Sequence, residues 1–223
     1  MEAFIYNFFN WDVMIRYAPE LSVGFAKTLW LALLVIVTGV LSGLLLALSR
    51  CLGFRPLNFI IKQTIDVIRA LPPLVLMIVL YFGLPYTGMR LSGFTVAWLS
   101  LSLVLMAFAE EIFWASIRAI HKGQFEAARS TGLTFAQAMQ HVLLPQAMRI
   151  SIPPLTGRLI AVTKNTALAS AIAVPELLGT AITVQSSAAN TTPLMMAAIG
   201  YLIMIYPLVF ASKLLEHRSQ WAK

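Results

Sequence analysis

Residues Gly123–Gln146 read GQFEAARSTGLTFAQAMQHVLLPQ, a polar interval between two strongly apolar halves. Gly132 sits where a left-handed C-cap favours glycine and so ends a first short helix. Thr134, with Gln137 three residues on, makes a capping box for a second. That helix puts Phe135, Met139, Val142 and Leu143 on one face and Gln137, Gln140 and His141 on another, and it is expected to stop at Leu144-Pro145. Short, amphipathic and bounded by punctuation residues, the interval reads as a docking element rather than a linker.

Everything around it reads as membrane. Of 223 residues 59% are hydrophobic and 11% charged, with a mean hydropathy of +0.82, against roughly a quarter charged in soluble domains. A spanning helix needs about 20 apolar residues, so the chain is expected to be one all-α membrane domain over 1–223. Five spans are expected, at about 22–48, 57–83, 93–120, 150–174 and 193–215, with a cytoplasmic loop at 121–149.

The net charge of +7 comes from sixteen Lys and Arg scattered among apolar segments, without the basic run that nucleic-acid binding needs. Cys51 is the single cysteine, which excludes an internal disulfide and fits no metal spacing. No G-x-x-x-x-G-K-[ST] and no H-E-x-x-H occurs, so the chain is read as neither an ATPase nor a zinc hydrolase. His121, His141 and His217 all fall in or near the polar inner segments.

Along the chain, residues 1–20 form a polar, aromatic lead-in ending at Pro19, with Trp11 and Tyr17 suited to an interfacial belt. Gly39 and Gly43 in the first span are either a close helix contact or two tolerated glycines. The second span carries Asp66 and Arg69, then Leu71-Pro72-Pro73, where missing donors and ring clashes kink or break a helix. That charge pair either faces a bundle interior or snorkels to the headgroups. Glu110 and Glu111 are neighbours in the third span, about 100° apart on a helix, so one is expected inward and the other toward a partner or water. Arg158, Lys164, Asn165 and Thr166 make the fourth segment the most polar. Pro175–Gly179 interrupts it before a Ser/Thr/Ala/Gln stretch read as a helix covering the outer mouth, and Glu216–Lys223 is read as a polar tail.

With 121–149 cytoplasmic, ten cations lie inside (Arg50, Arg55, Lys62, Arg118, Lys122, Arg129, Arg149, Lys213, Arg218, Lys223) and three outside (Arg16, Lys27, Arg90). That asymmetry predicts the N-terminus outside and the C-terminus in the cytoplasm.

Glu126-Ala127-Ala128, Gly132 and Leu144-Pro145 together resemble the EAA loop of bacterial ABC importer permeases: E-A-A, three residues, G, about nine residues, an apolar residue and L-P. Over about residues 22–216 the chain resembles the polar amino acid uptake branch, of histidine/glutamine/glutamate type. Arg69-Ala70-Leu71-Pro72 stands for its R-G-T-P, Glu111-Ile112-Phe113 for part of its A-E-I-F-R, and Gly123–Ala128 for its G-Q-x-E-A-A. Leu144–Arg149 follows its L-P-Q-A-x-R, Pro153-Pro154-Leu155 its P-P-L, Lys164–Leu168 its K-D-T-S-L and Pro175–Leu178 its P-E-L-L. Asn165 replaces the family's Asp, Ala167 its Ser, Trp114 its Arg and Glu110 its Ala.

The resemblance implies a type I ABC importer permease in the bacterial inner membrane. Its partners would be an ATP-binding subunit, a second permease (identical or homologous) and a solute-binding protein, with an amino acid substrate. No cofactor is expected in this chain, ATP and Mg belonging to the partner ATPase. Glu126, Ala127, Ala128, Gly132, Leu144 and Pro145 would form the coupling helices, and Arg69, Glu111, Asn165 and Thr166, with Glu110 and Lys164 behind them, would meet the substrate. Structural ion pairs or gate contacts are the competing role for Arg69, Glu111 and Lys164. An ion-coupled secondary transporter is the competing class, although no inverted repeat is visible.

Overall fold

The computed structural model describes residues 1–220, with side chains described through Leu214. Lys223 and the Arg218 side chain, both counted above as inner charges, lie outside the described residues. Ten α-helices are described: α1 (Glu2–Phe8), α2 (Trp11–Cys51), α3 (Arg55–Ala70), α4 (Pro73–Gly83), α5 (Gly93–Ala119), α6 (Lys122–Ser130), α7 (Phe135–Ala138), α8 (Leu144–Asn165), α9 (Leu177–Ala188) and α10 (Thr192–Gln220). Turns of 3-10 helix follow α4 (Leu84–Thr87) and α8 (Thr166–Ile172), and a π turn (Met139–Leu143) joins α7 to α8.

Among the described residues three helices are long and apolar enough to cross a membrane, and counting each of two bent pairs as one span gives five. Arg55–Ala70 and Pro73–Thr87 meet at 100°, and Phe135–Ile172 and Leu177–Ala188 at 45°. The first bend falls where Leu71-Pro72-Pro73 removes two donors, and α4 restarts with proline in its first turn, where a missing N–H costs nothing.

Several boundaries differ from the sequence expectation, two of them because proline does less damage here than its local chemistry suggests. Pro19 lies inside α2, which begins at Trp11, so the lead-in is helical rather than ending at Pro19. The helix expected to stop at Leu144-Pro145 instead passes through the π turn into α8, which also carries Pro153 and Pro154. A π turn widens the helix just where the Pro145 ring would press on the preceding turn. Around the double proline, the Ser151 and Thr156 hydroxyls donate to the Met148 and Pro153 carbonyls at 2.9 and 2.8 Å. The expected tail is also helical as far as Gln220.

The chain divides into two compact units. The first comprises Met1–Val37, Leu71–Ser102 and Ile160–Val209, and its core joins Leu21, Leu177, Ala181 and Ala197. Its polar centre is Glu176, fully buried, which caps α9 by accepting hydrogen bonds from the Leu178 and Gly179 amides at 2.9 and 2.7 Å. Tyr201 donates to the same carboxylate at 2.7 Å, and Thr28 Oγ1 accepts from the Leu177 amide at 2.9 Å. The Ser/Thr/Ala/Gln stretch is thus a helix, α9, fixed at its start. Gly179 has no room for a side chain, since a Cβ would stand 2.3 Å from the Val174 carbonyl oxygen.

The second unit comprises Thr38–Ala70, Leu103–Leu159 and the described residues from Phe210 on. Gly39 and Gly43 are close contacts there: a Cβ on Gly39 would approach Leu105 Cβ to 2.8 Å, and one on Gly43 would approach Ala109 Cβ to 2.7 Å and the Met106 oxygen to 2.8 Å. Gly43→Ala is therefore expected to push α2 off α5 at a cost of about 1–3 kcal/mol. The midpoint of thermal unfolding in detergent should fall for Gly43→Ala and hold for Gly83→Ala, where nothing lies within 4 Å. Equal midpoints would mean the contact is loose.

Candidate functional site

The interval quoted at the outset is a helical hairpin within the second unit. His121 caps α6, its Nδ1 accepting from the Gly123 amide at 3.1 Å. Gly132 follows α6 with φ +87, the left-handed conformation anticipated from sequence. Thr134 and Gln137 form the full capping box of α7. Ala128, Ala138 and Leu143 are the buried centre, with Phe125 and Phe135 edge to face at 5.9 Å. The Arg129 guanidinium donates to the Leu133 carbonyl at 2.6 Å, bracing the turn. Glu126, Ala127 and Pro145 are exposed, Leu144 is half-buried and Ala128 is buried. The hairpin therefore has its own small core and turns Glu126 and Ala127 outward.

The third-span carboxylates separate as their 100° offset requires. Glu110 is fully buried, whereas the Glu111 side chain is 48% exposed. Glu110 Oε1 accepts from Arg50 at 2.6 Å, and the Arg50 guanidinium lies over the Trp114 ring at 4.2 Å. Sequence reading placed Arg50 in an inner loop and gave it no partner. Its cue was Trp114, one helical turn past Glu110, but sixty residues separate the paired charges in sequence.

Arg69 pairs with Glu111 at 2.6 Å rather than with Asp66, which is exposed. The two charges beside the kink thus do not act as a pair: the carboxylate on α5 takes the guanidinium. The Arg69 guanidinium also lies 5.3 Å from the Phe108 ring centroid, and Arg158 reaches that same ring at 4.0 Å. Phe108 and Glu111 share one face of α5, being three residues apart. A groove of about 430 Å³ beside them is lined by Glu111, Ala115, Ser116, Ala119, Ile150 and Pro154. Phe108 was not a sequence candidate, because an aromatic in a span reads as core or lipid contact, and Arg158 was noted only among the polar residues of the fourth segment.

The remaining candidates belong to the first unit. Lys164 is exposed and Asn165 half-buried, at the end of α8, and Thr166 is buried with its hydroxyl donating to the Thr163 carbonyl at 2.7 Å. Among the described residues, no group of three or more His, Cys, Asp or Glu is placed to hold a metal ion.

Comparison with known proteins gives concordant matches. The family described as "Binding-protein-dependent transport system inner membrane component" matches residues 36–220. The "Probable glutamine ABC transporter permease protein GlnM" of Bacillus subtilis (strain 168) is 36% identical over 198 residues, 88% of this chain and 92% of the relative. The "Probable amino-acid ABC transporter permease protein YckA" of the same organism is 38% identical over 170 residues, 76% and 75% of the two chains. The solved structure described as "Crystal structure of an amino acid ABC transporter with histidines" superposes with a TM-score of 0.83 at 34% identity, covering 92% of this chain and 96% of that one.

Proposed function

The chain belongs to the family of binding-protein-dependent transport system inner membrane components, and on that footing we propose that the solute it passes is a polar amino acid. As a family member it is a multi-pass membrane subunit of an ABC importer and not an enzyme, ATP being hydrolysed on a separate subunit.

The observation that carries the solute class is Glu111, a carboxylate half-exposed on a groove at membrane depth. An ionisable group in a span is costly unless it meets water, protein or a charged solute. Glu111 suits an ammonium group, with Arg69 holding it in place. The substrate class named for the relatives, glutamine and amino acids generally, agrees with this chemistry. Within the first unit, Lys164 and Asn165 are further solute contacts, whereas Thr166 is buried with its hydroxyl on the Thr163 carbonyl and supports them from behind; in the second unit Glu110 acts as the anchor of Arg50.

The hairpin 122–143 lies on the cytoplasmic face and docks on the partner ATPase, which binds ATP and Mg. Glu126 and Ala127 face the partner, Ala128 and Gly132 set the shape of the hairpin, and Leu144 and Pro145 pass its movement into α8. The N-terminus is outside and the C-terminus inside, and two permeases, this chain with a copy or a homologue, complete the pathway.

Co-expression with the neighbouring ATPase and a solute-binding protein tests this reading. Cells are expected to accumulate at least one of radiolabelled L-glutamine, L-glutamate, L-histidine and L-arginine, and to stop doing so when the binding protein or the ATPase is omitted. Accumulation of none of them, or accumulation that survives omission of the ATPase, would overturn the proposal.

A further inference from the structure

We infer that Arg158 is a carboxylate-binding residue of this permease, held ready by its stacking on Phe108. The inference rests on the import function proposed above and adds the group that receives the solute's anionic end.

Three observations support it. First, depth: Arg158 is fourteen residues beyond Leu144 in α8, about 21 Å along the helix, too far in to reach the headgroups of the side where α8 begins. Its side chain is nonetheless exposed, so it faces water, a protein surface or a solute rather than hydrocarbon. Second, charge: the Phe108 ring carries two guanidiniums, but the neighbouring carboxylate, Glu111, is taken by Arg69 at 2.6 Å. Among the described residues no carboxylate pairs with Arg158, which leaves the cluster with one uncompensated positive charge. Third, geometry: at 4.0 Å from the ring centroid the guanidinium is held by its face. That leaves the N–H groups along its edge free, in the fork that matches a carboxylate with two parallel hydrogen bonds.

The surroundings suit a small zwitterion. Pro154, one helical turn before Arg158, lines the 430 Å³ groove together with Glu111, a volume within the range of small-ligand sites. Glu111, whose Oε2 takes Arg69, offers its other carboxylate oxygen to the ammonium, and Arg158 offers a cation to the carboxylate. The same arithmetic separates the arginines by role: Arg50 and Arg69 are neutralised by Glu110 and Glu111, while Arg158 is available to the solute.

The test uses the permease–ATPase complex in nanodiscs without a solute-binding protein, so that the binding protein's own selectivity does not enter. Binding of tritiated L-glutamine, L-glutamate and L-arginine is measured into the millimolar range, and the α-carboxamide of whichever binds is titrated as competitor. The wild-type complex is expected to bind one of the three and to prefer the acid over its amide at least tenfold. Arg158→Gln should weaken binding at least tenfold and abolish that preference, whereas Arg158→Lys, which keeps the charge but not the fork, should fall between. Phe108→Leu should weaken binding about threefold with the preference retained.

If Arg158→Gln binds as wild type, or keeps the acid-over-amide preference, the assignment is wrong. Arg158→Lys decides the matter should the glutamine variant not accumulate: binding and preference both unchanged from wild type would overturn the role of the fork. A wild-type complex that imports an amino acid yet binds none without its binding protein overturns this inference and leaves the import function standing. One that neither imports nor binds overturns both.

Discussion

Replacing Gly132 with valine is expected to lower uptake at least tenfold and to strip the ATPase from the purified complex, while the permease itself still reaches the membrane. The backbone at Gly132 has φ +87, and a Cβ added there would meet nothing within 4 Å. Any harm therefore comes from conformation and not from crowding. The left-handed region costs an ordinary L-residue roughly 1–2 kcal/mol, and a β-branched residue is a genuine outlier there. Valine would force the turn between α6 and α7 out of shape and part Phe125 from Phe135. The spans, whose helices do not include residue 132, would keep their packing. Asparagine enters the left-handed region far more readily, so Gly132→Asn should keep at least a third of wild-type uptake. Uptake assays beside copurification of the tagged ATPase read both effects. A valine variant that transports and copurifies as wild type would sink the idea that the turn sets the docking surface.

Glu110→Ala is expected to cost about 3–5 kcal/mol of stability, because it leaves the Arg50 guanidinium, on a side chain only 13% exposed, without its carboxylate. Arg50 cannot escape by losing a proton. The Trp114 face at 4.2 Å offsets only part of the loss, about 0.5–2 kcal/mol. By the scaling for chains of this size the thermal midpoint should drop by about 6–20 °C. The double variant Arg50→Met/Glu110→Leu should recover most of that. The native pair is itself imperfect, with Arg50 Nε and Glu110 Oε2 buried and without a hydrogen-bond partner, and an apolar replacement gives up little net energy. Thermal unfolding in detergent measures all three proteins. If Glu110→Ala were as stable as wild type but failed to transport, Glu110 would belong to the solute path directly and not to the scaffold.

The two predictions also mark where sequence reading ended. Gly132 and the Thr134/Gln137 box were legible because each is a local matter, settled by residues within four positions of one another. The break at Leu71-Pro72-Pro73 was legible for the same reason. Proline elsewhere misled: Pro19 and Pro145, read as ends, both sit in continuous helix. Whether a proline breaks a helix depends on what can repair the backbone around it, and that is not a local property. The charges divided likewise. The opposite fates of Glu110 and Glu111 followed from helical geometry, but the choice of Arg50 by one and Arg69 by the other did not. Nor did the stacking of Arg158 on Phe108, fifty residues away.

The sequence by itself determined that this chain is a helical membrane protein with a polar helical hairpin between its third and fourth apolar segments, since hydropathy, caps and turn residues act over one or two helical turns. Only the tertiary structure decided which charges cancel and which stays available. Packing in each unit selects partners tens of residues apart, and in a medium that penalises every unpaired charge, that selection separates scaffold from site.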